Sequence, residues 1–180
     1  YQQSSIDFGG TFPMTFSQFR RSLDAVAFRP YISAPKALPN PSTHHFDDQL
    51  IELPDESLLI AGGSAAGIEH LRLYFKTRAA STYKETRNAL AGERFSTGFS
   101  PWLALGCVSP MQVYEELNAY EGVHGGNEST QWILFELMWR EFFRWHAKHH
   151  GARLFEFTGV AEKRPLTSFY RERFLKWCTG

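Results

Sequence analysis

Glu136 is the residue best surrounded to do chemistry in this chain of 180 residues. It lies in Gln131-Trp-Ile-Leu-Phe-Glu-Leu-Met-Trp-Arg-Glu-Phe-Phe-Arg-Trp145, where ten of fifteen residues are apolar. At about 100° per residue, Trp132, Glu136, Trp139 and Phe143 fall on one side of a helix, which sets a carboxylate among aromatic rings. Two readings fit. Glu136, Arg140, Arg144 and Lys148 also follow one another at i,i+4, the pattern of an ion-pair ladder, and pattern alone favours that solvated face. Against it, leaving water costs a carboxylate several kcal/mol unless a partner compensates. The apolar surround therefore argues for a cavity wall, where the carboxylate hydrogen-bonds the polar edge of a ligand and the rings stack on a planar group.

A second candidate is Glu93-Arg-Phe-Ser-Thr-Gly-Phe-Ser-Pro-Trp-Leu-Ala-Leu-Gly-Cys-Val-Ser-Pro110. Ser96, Thr97 and Ser100 stand just before an expected helix start, where free amides and hydroxyls offer an anion site. Simple capping is the commoner use of such residues. His146 and His150 share a helix face, yet no Glu stands in H-E-x-x-H order and no third ligand is near in sequence. They are read as helix-end cations with His149, and no metal site is expected. Cys107 and Cys178 are read as packing residues. Two thiols cannot supply a disulfide framework or a four-thiolate zinc site, and they point to a reducing setting. That leaves cytoplasm, nucleus and organelle unresolved. No G-x-G-x-x-G, Walker or G-x-S-x-G motif is present.

The elements that must position these residues are helical. Thr15 with Gln18 reads as a capping box opening a helix whose inner face carries Phe16, Phe19, Leu23 and Val26. Six of the nine prolines fall in the first 54 residues, so 29–57 is expected to be an extended connector. After Gly62-Gly63 helices follow one another. Ser64 is expected to cap one bearing Ile68, Leu71 and Phe75. Thr82 with Glu85 suggests a second capping box, with a stop near Gly92. Ser100-Pro101 and Ser109-Pro110 each read as a capping hydroxyl before a first-turn proline. The latter opens a helix with Val113, Leu117 and Tyr120 inward and a stop at Gly122. The longest helix runs from about Asn127 to Gly151, and its apolar circumference makes it central. No alternating β-branched run competes after residue 60. The fold class is all-α, divided into a connector, 1–57, and a helical portion, 58–180.

Composition bounds the function. Hydrophobic residues make up 43% and charged ones 21%, enough to bury a core. Lys+Arg 19 against Asp+Glu 19 excludes a globally basic nucleic-acid binder but leaves room for a local basic groove. No apolar run approaches the roughly 20 residues of a membrane span. Aromatic residues reach 16%, which suits a pocket for flat ligands. With Tyr1 first and no leader pattern, the chain is expected to be a piece of something longer.

Three stretches together resemble the photolyase/cryptochrome family, most closely its DASH-type cryptochromes: Thr82-Tyr-Lys-Glu-Thr-Arg-Asn88, Phe95 to Pro110, and Asn127-Glu-Ser-Thr-Gln-Trp-Ile-Leu-Phe-Glu-Leu-Met-Trp-Arg-Glu141. The proline connector, Gly62-Gly63 and Phe174-Leu-Lys-Trp-Cys-Thr-Gly180 are similar as well. The resemblance implies the N-terminal part of a helical FAD-binding domain, in a flavoprotein that repairs cyclobutane pyrimidine dimers in blue light. It implies that Tyr83, Ser96, Thr97, Gly98, Phe99 and Ser100 hold the FAD phosphates and ribityl chain. Glu136 is then catalytic, hydrogen-bonding a flipped dimer, and Trp139 packs against its bases. Arg87 and Arg140 meet the DNA backbone or the pocket rim. Single-stranded or damaged DNA is the implied partner, and a folate-like antenna chromophore belongs to a preceding α/β domain. The alternative within the same fold is a photosensory flavoprotein that signals through a partner and repairs little.

Three positions differ from the family's pattern. Gly98 stands where the DASH pattern favours Lys, Ile133 where many photolyases carry Trp, and Thr167 at a common electron-relay Trp. Since the segment ends before the helices that carry the isoalloxazine-binding residues, the expectation is weak or no FAD binding by residues 1–180 alone.

Overall fold

The computed structural model describes residues 6, 8, 10–23, 60–89, 95–162 and 169–180. The proline connector, Val26, Gly92 and Thr167 lie outside them. The described residues are helical without a strand: α1 Phe16–Leu23, α2 Gly63–Phe75, α3 Tyr83–Thr86, α4 Ser100–Ala104, α5 Pro110–His124, α6 Glu128–His150 and α7 Arg171–Thr179. Short 3₁₀ turns, Ala79–Thr82 and Gly151–Phe155, precede α3 and follow α6.

α6 is the hub, touching α1, α3, α5 and both 3₁₀ turns. Its two ends are fixed by local chemistry. Asn127 accepts from the Thr130 amide at 2.9 Å while Thr130 Oγ1 accepts from the Asn127 amide at 3.0 Å, a reciprocal cap. Lys148 brings a cation to the last turn, at the negative end of the helix, while His150 beside it is held toward its neutral form by burial and its cationic neighbours, against the expectation of a helix-end cation there.

Two apolar clusters flank this helix. The larger joins Leu71, Tyr74 and Phe75 of α2 to Tyr83, Phe99, Trp102, Val113, Leu117, Tyr120 and Ile133. The smaller joins Phe16, Phe19 and Leu23 of α1 to Phe142 and Trp145. Burying each such side chain contributes roughly 1.5–3 kcal/mol, so α6 is held from both sides. Close approach of α4 to α2 depends on Gly67, where a Cβ would lie 2.7 Å from Trp102 Cδ1 and Val108 Cγ2. Trp102 then donates its indole N–H to the Ala61 carbonyl at 3.1 Å.

Several local expectations hold in detail. Thr15 and Gln18 form their reciprocal pair, at 3.2 and 3.4 Å. Ser109 and Gln112 cap α5 with Pro110 in the first turn. Val113, Leu117 and Tyr120 are buried. Others are corrected. Ser64 lies inside α2, whose cap position is Gly62 with no side-chain bond. Thr82 and Glu85 make no capping box: Thr82 Oγ1 donates to Ala79 O, and Glu85 accepts from Ser129. Ser100 is the first residue of α4 rather than its cap. α5 runs through Gly122 to His124 and ends at Gly125, whose φ of +79° leaves the helical region while its amide still bonds the Glu121 carbonyl. Cys178, expected to be packed, is exposed with the rest of α7, while Cys107 is half-buried against the larger cluster.

Candidate functional site

A cavity of about 440 Å³ opens between the Ser96–Ser100 turn and α6. Tyr83, Ser96, Thr97, Gly98, Phe99 and Ser100 line one side, all six residues that the family resemblance assigns to the cofactor. Ile133, Glu136, Leu137 and Arg140 line the other, with Leu103 and Ala104 completing the wall. The α6 contribution follows from helical spacing, since positions 133, 136, 137 and 140 share one face.

Docking of α3 onto α6 places Tyr83 and Arg87. Ser129, 2% exposed, accepts the Lys84 amide at 3.0 Å and donates to Glu85 at 2.9 Å. Thr130, fully buried, donates to Glu121. With α3 so fixed, Arg87 Nη1 meets Glu136 Oε1 at 2.5 Å, and its guanidinium lies 4.5 Å from the centroid of the Trp132 ring. Burial first, and then the Glu136 carboxylate, push the Tyr83 phenol above its usual range, with Arg87 opposing them. The cavity wall therefore carries a protonated phenol and a carboxylate, with the Arg87 guanidinium bonded to that carboxylate from outside the lining.

The ion-pair ladder is not what forms. Glu136 pairs with Arg87 across elements, and Arg140 turns to Glu141 at 3.0 Å and to the Leu103 carbonyl at 3.2 Å. Arg144 meets Glu141 at 2.8 Å. Glu141, its side chain 10% exposed between two arginines, is the most deeply held acid of α6, a role that its sequence position did not signal.

The aromatic surround is also arranged differently from the helical-wheel expectation. Trp139 lies outside the cavity lining, stacked on Phe16 of α1 with centroids 3.8 Å apart and planes 8° from parallel. The Trp132 ring carries the Arg87 guanidinium and is not part of the cavity lining. Phe143 is exposed. The apolar contacts within the cavity come from Ile133, Leu137 and Leu103 instead.

The short α4 changes the anion argument. Five residues give little aligned dipole, and its cap position has no side-chain bond. Any anion affinity of this turn must come from its own amides and hydroxyls. The histidines at the end of α6 contact Phe12, which stacks on His149 at 4.3 Å. Among the described residues no group of three ligating side chains has the geometry to hold a metal, and no helix is long and apolar enough to cross a membrane.

No family model matches the chain. It is 47% identical over 169 residues to a Cryptochrome DASH of Vibrio parahaemolyticus, covering 93% of this chain and 38% of that protein. A Cryptochrome DASH of Idiomarina loihiensis is 48% identical over 173 residues, with the same coverage of 93% and 38%. One from Danio rerio is 34% identical over 200 residues, covering 100% of this chain and 38% of the relative. The crystal structure of a Synechocystis sp. PCC6803 cryptochrome superposes with a TM-score of 0.71 at 34% identity, over 92% of this chain and 37% of that one. The chain thus spans about 38% of the length of these curated relatives. On these likenesses and the helical fold of its described residues, the chain belongs to the photolyase/cryptochrome family, in its DASH-type branch.

Proposed function

We propose that the protein carrying this chain is a light-driven, FAD-dependent lyase that splits cyclobutane pyrimidine dimers in single-stranded or damaged DNA. The observation that supports this most is the cavity, which gathers the Ser96–Ser100 turn, Tyr83 and Glu136 around one space. Residues 1–57 would be its interdomain connector and 58–180 the first part of its flavin domain, with a folate-like antenna in a separate domain.

The residues fit part of FAD. The cavity lies in the lower half of the usual 300–1,000 Å³ range of ligand sites, the size for one arm of a dinucleotide. Three hydroxyls and the Gly98 amide suit phosphate and ribityl oxygens, with the Arg140 guanidinium at the wall. Bound FAD supplies the chemistry: a photoexcited electron that opens the cyclobutane ring and returns, leaving no net redox change.

The chain's own residues bind and orient. Glu136 accepts or shares a proton with the polar edge of the dimer, exchanging its bond to Arg87 for one to substrate. Arg87, freed in that exchange, and Arg140 meet a phosphate at the rim. Ile133 and Leu137 keep water from the reacting face. Trp139 reaches the bases by giving up its stack on Phe16. Taking the lesion out of the duplex is cheapest where pairing is already lost, which favours single strands.

The test is repair of a thymine dimer in single- and double-stranded oligonucleotides by the natural full-length protein, in blue light and in darkness. Light-dependent repair, stronger on the single strand, is expected. Flavin photochemistry without repair would replace the enzyme with a photosensory protein of the same fold.

A further inference from the structure

We infer that His70 is a positioning residue for the cofactor-binding turn, aiming the Gly98 amide into the cavity by holding the other end of the same peptide. The inference rests on the assignment of this turn to FAD phosphates.

The Ser96–Ser100 turn has little internal support. Its Ser96 Oγ to Gly98 amide bond is 3.4 Å, longer than the normal range for N–H···O. Support comes from α2 instead. The His70 ring stacks on Trp102, centroids 4.7 Å apart and planes at 29°, and meets the Phe99 ring edge-on at 5.9 Å. Held there, its Nε2 lies 2.9 Å from the Thr97 carbonyl oxygen. A carbonyl can only accept, so Nε2 carries the hydrogen and donates.

In a trans peptide the carbonyl oxygen and the following N–H point in opposite directions. Fixing Thr97 O on His70 therefore turns the Gly98 N–H away from α2. Its present partner is the hydroxyl of Ser96, a residue that lines the cavity, and the long bond leaves the amide ready to exchange that hydroxyl for a phosphate oxygen. Gly98 is matched to this arrangement. Its φ is +66°, in the left-handed region, and a Cβ there would lie 3.1 Å from His70 Nε2. A side chain at 98 would press the imidazole off the carbonyl. His70 itself does not line the cavity, which separates this role from ligand contact.

The experiment is titration of apoprotein, prepared from the natural full-length protein, with FAD and, separately, with riboflavin, which lacks phosphate. His70→Ala is expected to weaken FAD about tenfold and riboflavin by less than about threefold. His70→Gln, which returns an N–H donor at similar reach, is expected to restore most of the FAD affinity. Gly98→Ala should weaken FAD in the presence of His70 and weaken it less in the His70→Ala background, since the two positions act on one peptide.

Unchanged FAD affinity in His70→Ala, or equal losses for FAD and riboflavin, overturns the inference while leaving the site reading in place. If His70→Ala does not fold, the comparison rests on His70→Gln and Gly98→Ala, and a Gln variant as weak as Gly98→Ala overturns it. Failure of the unaltered protein to bind FAD overturns the site reading, and the inference with it.

Discussion

Arg87 Nη1 sits 2.5 Å from Glu136 Oε1, joining α3 to α6 across 49 positions of sequence at the edge of the cavity. The same guanidinium rests on Trp132. The carboxylate is thereby engaged by protein, and the ligand contact proposed for Glu136 would require an exchange of partners.

The two side chains are 28% and 38% exposed, so water screens their attraction. A double-mutant cycle with Arg87→Ala and Glu136→Gln, read by chemical denaturation, should give a coupling of about 1 kcal/mol or less. A coupling of zero would mean that the pair does not persist in solution.

Acid should loosen the end of α6. The Nε2 edge of His150 is buried without a hydrogen-bond partner among the described residues, and burial, His146, His149 and Arg153 together push its ring below the usual histidine range. The unfolded chain then takes up this proton before the folded one does. The stability tied to a neutral His150 is present above about pH 6.5 and is lost as pH falls through the lowered value. Thermal midpoints at pH 7.5 and 5 should differ less for His150→Gln than for the unaltered protein. An identical acid shift in both would assign the loss to other groups.

The Tyr74 hydroxyl is buried in the larger cluster without a partner among the described residues, and burial pushes its phenol up. Replacing it removes an unmet donor at little cost in packing. Tyr74→Phe should be neutral or raise stability by about 1 kcal/mol, measured by urea unfolding. A loss of that size would reveal a hydrogen bond that the structure does not contain.

What could be read from the sequence was what depends on local chemistry. The bounds of α6 followed from an Asn cap, continuous apolar coverage and a cationic end, all set by neighbours within a few residues. The inward faces of α1, α2 and α5 followed from 3.6-residue periodicity, with Phe19 and Val113 fully buried. The short elements were misjudged because tertiary contacts capture their polar groups: Glu85 is taken by Ser129 and never reaches back to cap α3. Of the six positions that line the cavity opposite α6, Ser96, Thr97 and Ser100 stood out by their place before a helix start, and Tyr83, Gly98 and Phe99 by family resemblance; Glu136 stood out as a carboxylate on an apolar helix, though its charge pattern alone favoured a solvated ladder. Its partner did not, because nothing in a helical wheel points 49 positions upstream. For the same reason Trp139 was set beside Glu136: one helix face was legible, while Phe16 of α1, which takes that indole, was not. His70 carried no signal at all until folding put it under Thr97.

In the proposed reaction the Glu136 carboxylate meets the lesion when it is bound. The measurement is blue-light repair of a thymine dimer in a single-stranded oligonucleotide by the natural full-length protein and its Glu136→Gln variant, both loaded with FAD. The variant should retain flavin and repair at least about tenfold less per absorbed photon, as for loss of a preorganised polar contact to developing charge. Equal repair by the two proteins would contradict it.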